Sequence, residues 1–226
     1  MGERRMNKIF IDLEFCGIDK QNEAVRKITP FEIIEIGAVK LNDRDEIVDE
    51  YDSYIHPAYG SIEKEISELT HITNEDVAEA RPFAEVMAEF LAWIGDEETT
   101  VYSWSMSDHA QLEKECRLKS CISQRVEDLL THWIDFQKVF GELIGIEQSI
   151  ALDKALTGAG LTFDGMQHRA NSDAINTAKL YQLTQNEEQF QKQLTSIFEW
   201  LKPSPDLTVT MGSLLPPGLL GDLPAE

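Results

Sequence analysis

The chain has 226 residues, 42% of them hydrophobic, and carries 41 Asp and Glu against 20 Lys and Arg, for a formal net charge of −21. That is enough apolar material for one good-sized domain, and the acidity argues against a protein that coats nucleic acid through a broad basic surface. An enzyme that engages a single strand end through bound cations remains compatible with it.

The opening Met1-Gly2-Glu3-Arg4-Arg5 is charged, so no secretory signal is expected, and no apolar run reaches the length of a bilayer span. The first strand is read over Lys8 to Phe15. In a strand, residues two apart share a face, so Asp12 and Glu14 place two carboxylates side by side where a buried strand ends. Like charges in that position are unfavourable unless a cation lies between them, and a hard divalent ion such as Mg²⁺ suits oxygen donors. Cys16 follows. With Cys116 and Cys121 it forms no C-x-x-C pair, which fits free thiols in a reducing cytosol.

Gly17 to Pro30 is polar and reads as a loop. Phe31 to Leu41 and Ile47 to Ile55 read as an antiparallel hairpin around an acidic turn, with the first strand beside it. Ser61 to Leu69 and Thr73 to Ala80 are short helices, the second opened by Thr73 with Asp76 three residues on. Pro82 starts a helix with Phe83, Val86, Met87, Phe90, Leu91 and Ile94 on one face, and Gly95 ends it. A strand over Thr99 to Trp104 is followed by a helix from Asp108 to Leu118, with Ser107 as its expected cap. A fifth strand covers Trp133 to Phe136, and helical segments continue to about Gly158. Ala170 to Leu183 and Glu187 to Leu201 close the domain as helices.

From Pro203 to Glu226 the composition shifts to Pro, Gly and Leu. This stretch reads as a flexible tail after a domain of residues 1–202, with a protein partner as a further use for it. The layout predicts an α/β fold, a mixed central sheet of about five strands with helices on both faces.

Two further acids and a histidine complete a pattern. Asp108 opens the helix after the fourth strand. His168 precedes a late helix and Asp173 lies in its first turn, an H-x-x-x-x-D spacing. Asp12, Glu14, Asp108, His168 and Asp173, in this order, resemble the DEDDh 3′→5′ exonucleases of the ribonuclease H-like superfamily. Glu32-Ile33-Ile34-Glu35-Ile36-Gly37-Ala38 and Leu69-Thr70-His71-Ile72-Thr73 match as well, over Ile9 to about Leu183. Asp12-Leu13-Glu14-Phe15-Cys16 is most similar to the opening of the Eri-type and KapD-type 3′ nucleases. The sequence departs from the family at Ser105 and Met106, where Gly or Asn is common, and at His71, where Gly is common.

The resemblance implies two Mg²⁺ or Mn²⁺ ions held by Asp12, Glu14, Asp108 and Asp173, with His168 as general base. It implies Leu13, Phe15 and Ile72 against the terminal nucleotide, and Arg169 as a phosphate contact or a plain surface residue. The expected activity is hydrolysis from the 3′ end of single-stranded RNA or RNA 3′ overhangs, releasing nucleoside 5′-monophosphates, in the cytoplasm and away from membranes. The alternatives are the same chemistry on DNA, or a non-catalytic adaptor on a nuclease fold. No feature of the sequence fixes the oligomeric state.

Overall fold

The structure, a computed structural model, describes residues 6–201. Strand β1 (Met6–Ile18) is followed by a single helical turn, α1 (Glu23–Arg26), then β2 (Phe31–Leu41), β3 (Ile47–Tyr54) and the two-residue β4 (Gly60–Ser61). Helices α2 (Lys64–Thr70), α3 (Asn74–Ala78) and α4 (Phe83–Ile94) lead to β5 (Glu98–Ser103), α5 (Met106–Leu118), α6 (Gln124–Thr131) and β6 (Trp133–Asp135). Helices α7 (Phe136–Ile144), α8 (Leu152–Gly158), α9 (Ala170–Gln185) and α10 (Glu187–Leu201) complete the described chain.

The strands form one mixed sheet in the order β3-β2-β1-β5-β6, with β4 paired to the far end of β1. The β1–β2 and β2–β3 pairs are antiparallel, and β1–β5 and β5–β6 are parallel. This is the expected α/β architecture, enlarged by β4.

Alternation along the central strands feeds two cores. Ile9, Ile11, Leu13, Ile36 and Ala38 face α4 and α5, meeting Phe83, Phe90, Leu112 and Cys116. Phe10, Val39 and Leu41 face the other way, onto Phe136, Phe140, Ala178 and Tyr181. Strand β2 is covered on both sides, and its residues are buried almost without a break, Glu32 and Glu35 included. At Gly37 the first turn of α9 comes so close that an added Cβ would lie 2.0 Å from the Asn171 nitrogen. No larger residue fits there without moving the helix.

Several local readings need correction. Strand β1 runs past Phe15 to Ile18, and the loop after it contains α1. Helix α5 starts at Met106 and is capped by Ser105, whose side chain accepts the Ser107 N–H, so Ser107 is not the cap. Helix α6 is absent from the sequence reading; it is short, capped by Ser123, and buries only Val126 and Leu129. The Thr73–Asp76 capping box is present as read. Cys16 and Cys116 are buried free thiols, and Cys121 is free and half-buried. The tail from Pro203 lies outside the described residues. Among the described residues, no helix is long and apolar enough to cross a membrane.

Candidate active site

Strand β5 pairs with β1 only from Met6 to Phe10, whereas β2 accompanies β1 to Gly17. Between Phe10 and Gly17, where β4 takes over, one edge of β1 is therefore open, and its backbone groups need other partners. The start of α5 supplies one. The buried Asp108 carboxylate accepts a hydrogen bond from the Leu13 N–H at 3.2 Å. This places Asp108 at the open edge, next to the positions where Asp12 and Glu14 leave the strand.

From the α9 side come His168 and Asp173. His168 is exposed and adopts a left-handed backbone conformation, φ 60°, uncommon for a residue with a Cβ. Its N–H donates to the Asp173 carboxylate at 3.0 Å, fixing the turn that leads into the helix. The next two residues are clasped by Glu35, which is fully buried on β2 opposite Glu14. Glu35 accepts from Arg169 Nε at 3.0 Å, from Arg169 Nη2 at 2.6 Å and from the Ala170 N–H at 2.9 Å. The Arg169 guanidinium also lies 5.2 Å from the centre of the Tyr54 ring. Arg169 is thus tied down within the fold and is not a free phosphate contact.

These elements converge. One ligand atom from each of Glu14, His168 and Asp173 lies within 4.8 Å of the other two. Asp12, His168 and Asp173 line a cleft of about 210 Å³ whose other walls include Trp104, Leu152, Asp153 and Phe163. The Trp104 indole N–H donates to the Ile150 carbonyl at 2.8 Å and so ties the end of β5 to the segment before α8.

The electrostatics of the cluster are unfavourable as it stands. Burial, then the charges of Asp108, Asp173, Glu14 and Glu35, hold the Asp12 carboxyl well above its usual range. Burial, then Asp173, Glu35 and Asp108, push Glu14 up to about 9, against the opposing pull of Arg169. Burial raises Asp108 to about 7, although its own and the Leu13 N–H favour the anion. Burial raises Asp173 to about 7 as well, opposed by the His168 N–H. Four carboxyls that resist ionising together, beside a cation already engaged by Glu35, lack positive charge. The carboxylate oxygens form a donor set that fits a hard divalent cation such as Mg²⁺ or Mn²⁺, and the His168 imidazole stands beside them.

The structure thus brings Asp12, Glu14, Asp108, His168 and Asp173 to one place. Leu13 and Ile72 are buried away from the cleft, whereas Phe15, directly after Glu14, is partly exposed. Leu13 is 4% exposed and packs into the core on the opposite face of the sheet from the carboxylates. Phe15 is half-buried beyond a register shift in β1. Ile72 is fully buried among Cys16, Ile34, Ile62 and Val77, so it cannot wedge against a base in this arrangement. Glu35 and Gly37 belong in the sequence to the strand stretch that matches the family, with no role of their own assigned. Their roles depend on residues more than 130 positions away, and no local signal reports them.

The family model for exonucleases of the RNase_T type matches residues 9–181. The chain is 28% identical over 170 residues to "ERI1 exoribonuclease 2" of Xenopus laevis, a match that covers 66% of this chain and 25% of the frog protein. It is 25% identical over 183 residues to "Probable 3′-5′ exonuclease KapD" of Bacillus subtilis, covering 80% of this chain and 86% of that protein. Among solved structures, the nuclease domain of 3′hExo, described as a DEDDh family member bound to rAMP, aligns with a TM-score of 0.64 and 24% identity. That alignment covers 82% of this chain and 94% of the other, and at this identity it speaks for the fold alone.

Proposed function

Given that the chain belongs to the exonuclease family, we propose that it is a metal-dependent 3′→5′ exonuclease acting on single-stranded RNA or RNA 3′ overhangs and releasing nucleoside 5′-monophosphates. The observation that carries this reading is the convergence of four burial-strained carboxyls with an exposed histidine at the open edge of β1. Asp12, Glu14, Asp108 and Asp173 would hold the divalent ions. When bound, such ions polarise the phosphoryl oxygens and make a nucleophile of water at neutral pH.

The remaining roles belong to the chain. His168, exposed at the rim of the cleft, takes the proton of the attacking water, the common task of an imidazole so placed. The Asp173 carboxylate and the Glu35 clasp hold the backbone on either side of His168, so the base is presented in one orientation. Asp108, anchored to the Leu13 N–H, keeps the mouth of α5 against β1. Trp104, Leu152 and Phe163 form the apolar wall against which the terminal nucleoside rests.

The preference for RNA is supported by the names of the exoribonuclease relatives. A matched pair of RNA and DNA 3′ overhangs, incubated with Mg²⁺ and with EDTA, tests it. RNA should be degraded at least several-fold faster, and only with metal. Equal or faster loss of the DNA strand moves the reading to DNA 3′ ends.

A further inference from the structure

A polyanion meets a chain of net charge −21 at this cleft, which raises the question of what holds the strand behind its last nucleotide. Residues 20–31 answer in composition: Lys20, Arg26 and Lys27 stand against a single acid, Glu23. All three bases are exposed. Within the described residues, none of the three forms an ion pair.

Apolar groups stand among them. Ile28 is 55% and Phe31 47% exposed, and the Phe31 ring lies 6.5 Å from that of Phe15, tilted by 34°. Phe15 directly follows Glu14, and Phe31 pairs with Gly17, three residues beyond Glu14. At about 3.3 Å per residue, this puts the Phe31 backbone about 10 Å along the sheet from Glu14, with the Phe15 ring packed on the α4 and α5 side of the sheet, the side from which Asp108 reaches the cluster.

The segment is fixed in place. The Ile18 N–H donates to the Pro30 carbonyl at 2.9 Å. Gln111 on α5 accepts from the Thr29 hydroxyl at 3.0 Å and donates to the Phe31 carbonyl at 2.8 Å. Gln111 lies one helical turn past Asp108, so the same helix sets both the acidic site and this surface.

We propose that the surface formed by Lys20, Arg26, Lys27, Ile28 and Phe31 binds the single-stranded segment immediately 5′ of the terminal nucleotide. The three cations take its phosphates and Phe31, backed by Phe15, stacks a base. Cationic side chains interleaved with an exposed aromatic are how single strands are held without reading sequence, and here they supply locally the charge that the rest of the chain lacks. The inference rests on the exonuclease reading above and extends it to how substrate length is sensed.

The test compares a 12-nucleotide oligo(U) RNA with the dinucleotide UpU for the full chain, Phe31→Ala and Arg26→Gln/Lys27→Gln. Each variant should raise KM for the 12-mer about tenfold while changing kcat, and kcat/KM on UpU, less than twofold. The double variant should also lower the slope of log KM against log salt by about 0.7 for each phosphate it no longer neutralises. An unchanged 12-mer KM in both variants, or an equal loss on UpU, overturns the proposal. Fluorescence anisotropy of a 5′-fluorescein 12-mer in EDTA decides independently of turnover, because weaker binding by the variants is expected and equal binding contradicts the surface. A wild-type chain that hydrolyses neither RNA nor DNA overturns the exonuclease reading, and the anisotropy result still judges this one.

Discussion

Replacing Glu14 with Gln should stabilise the metal-free protein. Glu14 is held at about 9 against its usual 4.5. Its folded value lies above its unfolded one, so protonation favours the folded chain. The contribution is fully present below about pH 4.5 and is lost as pH rises through about 9. At pH 8, the gap of roughly 3.5 units from the usual value corresponds to a penalty on the order of 5 kcal/mol. Asp12, Asp108 and Asp173 share protons with Glu14 and keep part of that repulsion among themselves, so the relief at this one position falls within the roughly 0.5–3 kcal/mol usual for a single substitution, about 2 kcal/mol. The isosteric amide removes it. For a domain of this size the melting temperature moves by about 2–4 °C per kcal/mol, so E14Q should melt about 4–8 °C above wild type at pH 8 in EDTA. The difference should shrink towards zero near pH 4.5. Saturating Mg²⁺ should raise the wild type more than the variant, because only the former keeps all four carboxylates for the ion. Thermal melts at pH 5, 7 and 8, with EDTA and with Mg²⁺, measure all of this. A variant that melts below wild type at every pH, or a gap independent of pH, would refute the argument that these carboxyls repel one another.

Three other outcomes follow from the same geometry. His168→Ala should lower kcat by about 10²–10⁴-fold with Mn²⁺ affinity, measured by calorimetry, largely kept; a matching loss of affinity would make His168 a ligand instead. Gly37→Ala drives a methyl group into the first turn of α9 and should destabilise the protein by about 1–3 kcal/mol, with a turnover loss of about 100-fold from displacement of Asp173 and His168; unchanged melting and unchanged rate would contradict the close approach. Glu35→Gln removes the charge that holds Arg169 and should reduce kcat about tenfold while KM and Mn²⁺ affinity stay within threefold; a parallel fall in Mn²⁺ affinity would show that Glu35 coordinates the ion.

The parts of the site that follow a local period are legible in the sequence. Asp12 and Glu14 share a face because a strand alternates, and Asp173 belongs to a helix's first turn because an apolar pattern begins just after it. The hairpin and the crossovers to β5 and β6 are legible for the same reason. The backbone bond from Leu13 to Asp108 and the Glu35 clasp on Arg169 are not, since they join residues 95 and 134 positions apart. Ile72 illustrates the opposite error. An apolar residue in a loop between helices looks available to a base, yet the small core under α2 and α3 encloses it. The cap of α5 falls two residues before the expected Ser107 because Ser105 and Ser107 are chemically equivalent, and only the backbone of Ser105 is extended there.

On the proposed reading, Asp12, Glu14, Asp108 and Asp173 hold divalent metal for cleavage at a 3′ end. A time course with 5′-labelled single-stranded RNA tests it most directly, run for wild type, Asp12→Asn and Asp173→Asn, with Mg²⁺ and with EDTA. Wild type in Mg²⁺ should give a ladder that shortens from the 3′ end one nucleotide at a time, with nucleoside 5′-monophosphates as the released product. Both variants, and wild type in EDTA, should leave the strand intact while melting no lower than wild type does in EDTA. Undiminished shortening in EDTA or in either variant, or release of the 5′ label as a mononucleotide at the outset, would contradict the account.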